Sequence, residues 1–486
     1  MDFKLVTSTF QSLTQNMQIM KYLLASSAVV ILFLIYIRTY LRSVYLALKL
    51  PGPKALPIIG NVLFLNDDRE MEHLGNKAHE LYGSFMRFWV SFLPCIVVHE
   101  PRHLNIILGT NRYSRKNIFY TLLHNFLGQG LITNNGYAWK KNRKMIQSLF
   151  HTNIQEIFIE TFQDCAEAFV SKLNGLTDVK ITALVNDCVL DILHNAILGV
   201  PLDKNSPYRK GQVILNDRLT KPWLLLETIF SRTTSAQKEI EQKTNLHSYT
   251  KKILLERRKG TRSGKCFLDM FIEIANNNLE FTDEDIINEI VTFMLAGQDS
   301  LGSAVAFTLF HLAKYHDIQN RVLKEISDYE EGTKLSNKEL FGMKYLEQVI
   351  KETLRLAPSV PIFARVLTED VVLDDVEFPR GTNIFISPFL THRHPQIYPD
   401  PLKFDPDRFS TENVENRHPF AYLPFSLGPR KCIGYQFALM EMKTIIFTIL
   451  KKYELSLVPG HEEYTLTYRT TLRAKGGIWI RLKARK

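Results

Sequence analysis

The chain has 486 residues and a formal net charge of +10, with 45% hydrophobic and 23% charged residues. By length it could form several ordinary domains or one large unit, and its composition supplies a substantial core. The five cysteines are odd in number and form no CxxC pair, which argues against a disulfide framework or a zinc site and favours a reducing compartment. The positive charge suits an acidic protein partner or an anionic membrane surface. Nucleic acid is disfavoured because no recognition motif accompanies the charge.

The N-terminal segment contains a candidate membrane anchor. Residues 1–21 are a polar leader, and residues 22–37 then run for 16 positions without a charge. A membrane helix needs about 17–25 residues, so the end of the leader must contribute to the span. Basic residues follow at positions 38, 42 and 49, and the positive-inside rule therefore places the rest of the chain in the cytosol.

Two other interpretations of this segment fit its composition less well. A cleaved signal peptide would need a small-residue cleavage site after the apolar run, and a mitochondrial presequence would carry arginine before residue 38. Prolines at positions 51, 53 and 57 then interrupt both helix and strand. The sequence therefore predicts a leader over 1–21, an anchor over 22–37, a basic and proline-rich linker over 38–61, and one large domain over 62–486.

The first part of this domain contains a predicted β-hairpin and a basic helix. Residues 85–90 and 95–99 have the strand pattern of a small hairpin. Trp139 and Arg143 lie one turn apart on a predicted helix that also carries Lys140, Lys141 and Lys144. Taken alone, this arrangement indicates no more than a solvated basic helix face.

A long buried helix is predicted further along the chain. Thr282–Asp285 has the form of a capping box, and no proline follows through Tyr315, so about 34 residues could form one helix. From Ile286 to Leu309 the segment is apolar on most faces, which is typical of a helix buried in the middle of a protein. Within it, Asp299 and Ser300 are polar. An unpaired buried carboxylate is costly, so Asp299 is difficult to explain as a core residue.

A glycine-rich loop near the C-terminus presents Cys432 at the start of a predicted helix. At such a position the free backbone N–H groups and the helix dipole favour a thiolate, and the neighbouring Arg430 and Lys431 act in the same direction. A lone cysteine is nevertheless more often a small buried hydrophobic residue than a ligand. The chemistry of the loop alone therefore leaves both alternatives open.

The spacing of this loop resembles the heme-binding signature of the cytochrome P-450 superfamily. The signature Phe-x-x-Gly-x-Arg-x-Cys-x-Gly occurs without a mismatch, at Phe425, Gly428, Arg430, Cys432 and Gly434. The resemblance implies a heme b cofactor whose iron is bound by the thiolate of Cys432. Such a ligand donates electron density to the iron and favours O–O bond cleavage. The implied fold is mainly α with a smaller β region, and residues 62–486 are then a heme-thiolate catalytic domain.

Other segments match the same superfamily. In it, the Trp-x-x-x-Arg pair contacts a heme propionate, which implies this role for Trp139 and Arg143, and Arg365 is a further propionate candidate. His392 and Arg393, which precede a proline-punctuated segment, are further candidates for the same contact. Glu352 and Arg355 match a Glu-x-x-Arg pair that the superfamily completes with a later arginine, here Arg408, and the implied role of this triad is structural.

The long helix carries a variant of the superfamily's oxygen-activation motif. The segment Ala296–Ser300 matches Ala-Gly-x-Asp/Glu-Thr except that serine replaces threonine. The implied role is catalytic, with the Ser300 hydroxyl donating to dioxygen and Asp299 feeding protons through water. Serine lacks the β-branch that fixes the threonine rotamer, so looser geometry is expected. The alternative is that Ser300 only hydrogen-bonds the helix backbone, which is common for a serine inside a helix.

The segment before this motif resembles the family-four group, which includes fatty-acid hydroxylases and many insect enzymes. Some members of that group carry a glutamate that esterifies the heme, but Ala296 occupies the matching position here, so no covalent link is expected. Phe293, Ala296 and Ile362 are candidate substrate contacts.

The resemblance implies a monooxygenase that inserts one oxygen atom from O2 into a lipophilic substrate, with fatty acids, hormones and insecticides as candidate substrate classes. Its implied partners are an NADPH-dependent flavoprotein reductase, bound by a basic surface of Lys140, Lys141, Lys144 and Lys431, and the endoplasmic reticulum membrane. Two alternatives remain open from the sequence. One is a heme-thiolate isomerase or dehydratase acting on lipid peroxides, and the other is a heme-binding protein without enzymatic activity.

Overall fold

The protein is mainly helical with smaller sheets, and the computed structural model describes residues 3–65, 67–150, 152–210, 218, 221–260 and 265–485. Short 3-10 turns connect many of the helices. The α-helices, in chain order, are α1 Phe3–Lys49, α2 Val62–Leu65, α3 Asp68–Tyr82, α4 Pro101–Leu108, α5 His124–Leu127, α6 Gly136–Gln147, α7 Thr152–Lys172, α8 Ile181–Leu193, α9 Glu227–Phe230, α10 Thr234–Arg258, α11 Phe267–Asn277, α12 Asp283–Lys314, α13 His316–Glu325, α14 Asn337–Gly342, α15 Lys344–Leu356, α16 Pro388–Thr391, α17 Thr411–Glu415 and α18 Tyr435–Lys452.

The strands form one mixed sheet of four strands and three smaller sheets. In chain order they are β1 Phe85–Val90, β2 Leu93–Val98, β3 Asp178–Lys180, β4 Phe363–Val366, β5 Val371–Leu373, β6 Val376–Phe378, β7 Asn383–Ile386, β8 Tyr453–Leu457, β9 Leu466–Tyr468, β10 Leu472–Ala474 and β11 Trp479–Ala484. The main sheet has the order β1-β2-β7-β4, and the smaller sheets are β3-β11-β8, β10-β9 and β5-β6.

The predicted hairpin is confirmed as β1 and β2. These strands pair antiparallel, with Phe85 opposite Val98. Strand β2 then pairs parallel with β7, and β7 pairs antiparallel with β4, where Arg365 lies opposite Ile384. The sheet therefore brings Arg365, from the last third of the chain, within one intervening strand of the N-terminal hairpin.

The N-terminal helix continues well beyond the predicted anchor. Its stretch Met17–Lys49 has the length and apolar composition of a membrane span, with a mean hydropathy of 2.1 and 0% of its most apolar window buried. Two other stretches are apolar enough, Ile181–Leu198 and Asp283–Lys314, but 61% and 78% of their windows are buried inside the protein. Those two helices are therefore part of the core.

The linker predicted over residues 38–61 is different in the structure. Helix α1 runs to Lys49, and Leu46 and Ala47 are buried against the main sheet and its neighbours. Only the proline-rich part, from Pro51 onward, lacks regular helix. The reason is local, because no helix-breaking residue occurs between positions 37 and 51 and Pro51 then ends the helix.

The long helix predicted after Thr282 is confirmed as α12. Thr282 is its N-cap, and its hydroxyl accepts a hydrogen bond from the Asp285 N–H while the Asp285 carboxylate accepts one from the Thr282 N–H. Most residues of α12 are buried, and it packs against α8, α15 and α18. This helix therefore passes through the largest hydrophobic cluster of the protein.

Candidate functional site

The cysteine loop closes on itself just before α18. The Cys432 N–H donates to the Phe425 carbonyl at 2.8 Å, and a 3-10 turn over Gly428–Arg430 lies between them. Gly434 is the N-cap residue of α18. Phe425 is half-buried, and its ring lies 6.2 Å from the ring of Tyr435. The loop thus holds Cys432 at the helix start that the sequence predicts.

The two glycines of the signature have different environments. Gly428 has a φ of +73°, and a Cβ there would lie 1.8 Å from the carbonyl oxygen of Leu108 at the end of α4. Position 428 therefore requires glycine. A Cβ on Gly434 would meet only the Phe150 ring, at 3.6 Å, which is an ordinary contact. Gly428 therefore serves packing within the protein, whereas the space beside Gly434 is free for another group.

The charge environment of Cys432 differs from the sequence-based expectation. Part of the Cys432 surface is exposed, but protein atoms around the sulfur desolvate it and raise the pKa of the thiol, while the Gly434 N–H and the Arg143 charge lower it. Arg143 on α6, and not Arg430 or Lys431, is the cation that acts on the sulfur. The Arg430 side chain instead extends away to other partners.

Arg430 lies at the centre of a group of cations that are buried or half-buried. Its guanidinium stacks on the Trp139 ring at 3.7 Å and donates to the Ser114 carbonyl at 3.0 Å and to Asn135 Oδ1 at 3.2 Å. Burial, together with the charges of Arg365 and Arg143, lowers the pKa of Arg430 to about 9. The loop signature and the Trp139–Arg143 pair are therefore adjacent, as the resemblance implies.

Arg365 and Lys116 complete this group. Arg365 is 2% exposed and donates to its neighbouring Ala364 carbonyl at 2.8 Å, and burial lowers its pKa. Lys116 lies 4.1 Å from the centre of the Tyr120 ring, and burial together with the charges of Arg365 and Arg430 holds its pKa well below its usual value. We name Lys116, Arg143, Arg365 and Arg430 the cation cluster.

The cation cluster has no counter-ion within the described residues of the protein. None of its four members forms an ion pair there, and the ammonium of Lys116 and the guanidinium of Arg143 have neither a carboxylate nor a carbonyl partner. Four cations gathered without a carboxylate are unfavourable unless a ligand supplies negative charge. Two propionate carboxylates of a heme would do so, and the residues present therefore fit this cofactor.

The sequence patterns did not identify Lys116 as a residue of the site. It belongs to a short Ser-Arg-Lys stretch with no motif, and its role depends on Arg365, which lies 249 positions later. His392 and Arg393, by contrast, lie elsewhere. His392 Nε2 accepts from the Leu423 N–H at 2.9 Å, and Arg393 donates to the Leu356 carbonyl at 2.5 Å. Both bind backbone groups within the protein and are not members of the cation cluster.

On α12, Asp299 and Ser300 both have partners within the protein. Asp299 Oδ1 accepts from the Arg473 guanidinium at 2.5 Å, and this ion pair offsets the cost of burying the carboxylate. Burial raises the pKa of Asp299, while Arg473 and Arg469 oppose that shift. The Ser300 hydroxyl donates to the Ala296 carbonyl at 2.8 Å, which is the backbone bond of the alternative interpretation.

One face of α12 is accessible in its buried middle. Phe293, Ala296 and Ser300 are half-buried, whereas most of their neighbours on the helix are buried, and their spacing puts them on one face. The Phe150 ring lies 5.5 Å from that of Phe293 and also faces the open side of Gly434. Phe150 therefore connects this face of α12 with the cysteine loop. Ile362, in the segment before β4, is 37% exposed and can contact a substrate.

The predicted triad forms a buried network. Arg355 binds Glu352 with two nitrogen–oxygen distances of 2.7 and 2.8 Å, and both side chains are 0% exposed. Arg355 also donates to the carbonyls of His392 and Pro401, and Arg408 lies 3.5 Å from Glu352. Because His392 in turn binds Leu423 at the start of the cysteine loop, this network supports the loop.

Three of the four lysines of the predicted basic surface are exposed and can contact a partner protein. Lys140, Lys144 and Lys431 are exposed, whereas Lys141 donates to the Glu280 carbonyl at 2.8 Å. The stacking of Arg430 on Trp139 places the cysteine loop beside α6, so these lysines belong to neighbouring segments.

Comparison with known proteins gives a consistent result. A sequence model of the family described as Cytochrome P450 matches residues 50–479. The chain is 46% identical over 483 residues to "Probable cytochrome P450 4aa1" of Drosophila melanogaster, which covers 95% of both chains. It is 32% identical to "Cytochrome P450 4c3" of the same organism, covering 94% of this chain and 93% of the relative. It is 31% identical to "Cytochrome P450 4V2" of Homo sapiens, covering 95% of each.

Proposed function

Because the chain belongs to the cytochrome P450 family, whose members are heme-thiolate monooxygenases, we propose that Cys432 is its heme ligand and that its substrates are lipophilic. The cation cluster carries this proposal. It gathers Lys116, Arg143, Arg365 and Arg430 beside Trp139 without a carboxylate among the described residues. A dianionic cofactor next to Cys432 would balance that charge.

Each residue of the site has a distinct role in this proposal. Arg143, Arg365, Arg430 and Lys116 bind the two propionates, with the Trp139 ring packed against Arg430. Phe425 and Gly428 fix the loop backbone, and Gly434 leaves room for the flat cofactor. When bound, a heme with a thiolate ligand supplies an electron-rich iron that favours O–O bond cleavage.

Asp299 and Ser300 are proposed to handle protons. The Asp299 carboxylate is held by Arg473 near the accessible face of α12, and its raised pKa allows it to hold a proton at an oxygen more readily than an exposed aspartate. The Ser300 Oγ donates to the Ala296 carbonyl, so its lone pairs are free to accept from water. Asp299 and Ser300 together could then pass protons through water toward the site.

The substrate is proposed to lie along the accessible face of α12. Phe293, Ala296 and Ile362 offer apolar surface there, which suits the apolar parts of fatty acids, hormones or insecticides. Lys140, Lys144 and Lys431 would bind the acidic surface of an NADPH-dependent flavoprotein reductase. Helix α1 would anchor the protein in the endoplasmic reticulum membrane, with the catalytic domain in the cytosol because basic residues follow the apolar stretch.

Incubation with reductase, NADPH and isotopically labelled dioxygen tests this function. A panel of fatty acids, steroids and insecticides is offered, and products are analysed by mass spectrometry. We expect one labelled oxygen atom in the product and no product from Cys432→Ser, which should also lose the long-wavelength absorption of the reduced carbon monoxide complex. Rearrangement of a lipid hydroperoxide without NADPH or label would instead support an isomerase or dehydratase. Heme-loaded protein without turnover on any substrate would support a non-enzymatic role.

A further inference from the structure

A group of histidines and one glutamate lies outside the heme site. His79 is in the last turn of α3, His99 and Glu100 follow β2, and His394 follows α16. One ligand atom from each of His79, Glu100 and His394 can be chosen so that all three lie within 4.8 Å of one another. Three segments that are distant in the sequence therefore converge with side chains that are common metal ligands.

The hydrogen bonding of His79 leaves one nitrogen free. Its Nε2 lies 3.1 Å from the Leu390 carbonyl, and a carbonyl can only accept, so Nε2 carries the hydrogen. Its Nδ1 is buried and has no hydrogen-bond partner among the described residues. Histidines that bind metals commonly donate their second ring N–H to a backbone carbonyl, which fixes the tautomer and directs the other nitrogen at the metal.

The side chains of Glu100 and His394 are hydrogen-bonded to each other, and His99 packs beside the group. The Glu100 Oε1 to His394 Nε2 distance is 2.9 Å, and the two side chains are 19% and 7% exposed, so a cation can enter from the Glu100 side. His99 is 0% exposed, and its ring lies edge-on to His79 at 4.3 Å. Neither His99 nitrogen has a well-formed hydrogen bond in the described structure, although the Gly83 carbonyl is near. Buried polar atoms without hydrogen-bond partners are costly, and the His99 ring that carries these nitrogens lies beside His79.

We propose that His79 Nδ1, His394 Nε2 and the Glu100 carboxylate bind one zinc ion, with water as the fourth ligand. Imidazole and carboxylate ligands suit zinc, and three protein ligands with one water give its usual four-coordinate geometry. The bound water would offer His99 a hydrogen-bond partner that the protein does not supply. The scattered cysteines argued against a zinc site, but cysteine spacing does not report on sites made of histidine and glutamate.

Zinc binding would have local consequences. His394 Nδ1 now accepts a long hydrogen bond of 3.3 Å from the Gln396 N–H, and zinc at Nε2 would place a hydrogen on Nδ1 and release that bond. The ion would join α3, the end of β2 and the segment after α16. Because His392 in this last segment binds Leu423 of the cysteine loop, the role of the ion is structural support beneath the heme site.

The test measures zinc and iron in the untagged, heme-loaded full chain. The protein is treated with a chelator, returned to zinc chloride, freed of excess metal, and analysed by mass spectrometry for both metals. We expect one zinc per heme iron, and X-ray absorption at the zinc edge should show imidazole nitrogen and oxygen ligands. His79→Gln and Glu100→Gln should each weaken zinc binding at least about 100-fold, since each removes a ligand. His73→Gln is the matched control, because His73 is exposed on the same helix.

Three outcomes would overturn the proposal. They are less than stoichiometric zinc in the heme-loaded wild-type protein, sulfur ligation at the zinc edge, and zinc binding by both ligand variants equal to that of His73→Gln. If a ligand variant does not fold, the wild-type stoichiometry and absorption edge decide the question on their own.

Discussion

Two groups of charged side chains in this protein differ in whether the protein itself supplies their counter-charges. The Glu352–Arg355 pair is fully buried, and its guanidinium also binds the carbonyls of His392, Pro401 and Lys403. The cation cluster has four members but no acidic partner in the described part of the chain. A network that the protein completes by itself can serve the fold, whereas one that it leaves incomplete indicates a ligand.

Glu289 is a buried acid that has hydrogen-bond partners within the protein but no ion pair, and it makes the comparison testable. It is 0% exposed on α12, and its carboxylate accepts from the Leu131 N–H at 2.9 Å and from Asn142 at 3.1 Å. The carbonyl of the same Leu131 accepts from Arg430 at 3.4 Å, so the backbone of one residue separates this acid from the cation cluster. Burial nevertheless raises the pKa of Glu289 to about 7, which a direct ion pair would not do.

The largest effect should come from breaking the balanced network. Glu352→Ala leaves Arg355 buried without its carboxylate and should lower the free energy of unfolding by about 3–5 kcal/mol. Denaturant unfolding of the heme-loaded protein measures this. Lys344→Ala, an exposed change on the same helix, is the control, and equal stability of the two variants would contradict a structural role for the pair.

The second effect concerns pH. The pKa of Glu289 is about 7 in the folded protein against 4.5 for an ordinary glutamate, so the folded state holds a proton that the unfolded chain releases between these values. The free energy of unfolding should therefore fall by about 3 kcal/mol as pH rises from about 4.5 to about 7, and stay level above. Glu289→Gln should remove this slope, whereas Glu284→Gln, an exposed change on the same helix, should not. A stability that stays level over this window and rises with pH only below about 4.5, with the rise absent in Glu289→Gln, would instead mean that Glu289 neutralises the cation cluster.

The third effect tests the unbalanced cluster. Arg365→Met keeps the apolar stem but removes one propionate partner, and should weaken heme retention by about 1.5–3 kcal/mol, which is roughly tenfold to a hundredfold faster heme transfer to a competing apoprotein. Arg112→Met is the control, since Arg112 is exposed and pairs with Glu369 at the surface. Unchanged heme transfer with lowered chain stability would show that Arg365 serves the fold.

The smallest effect involves a neutral polar group outside both clusters. Ser300→Thr adds a β-branch that fixes the hydroxyl, and should raise product formed per NADPH by about twofold, less than 1 kcal/mol. The measurement compares product with peroxide at equal NADPH consumption. A fall in product would indicate that the bond from Ser300 to the Ala296 carbonyl is needed as it stands.

The sequence predicted the local parts of the site well. Helix α12, the β1–β2 hairpin and the position of Cys432 at a helix start follow from periodicity, capping and turn residues, which depend on neighbouring positions. Helix α1 continues past the boundary predicted after residue 37, because apolar composition changes there while helix propensity does not. The partner of Asp299 was not predicted because Arg473 lies in a strand 174 positions later.

By itself, the sequence determined which residues can ligate, donate or accept, and where the main helices begin. The matched signature from Phe425 to Gly434 is of this kind, because its geometry is set by a single turn of backbone. Only the tertiary structure decided which charges share a space. Lys116, Arg143, Arg365 and Arg430 come from separate elements, and the pKa of Arg430 falls to about 9 only because folding buries it beside other cations. Desolvation and Coulomb energy depend on distance in space, which sequence spacing does not encode.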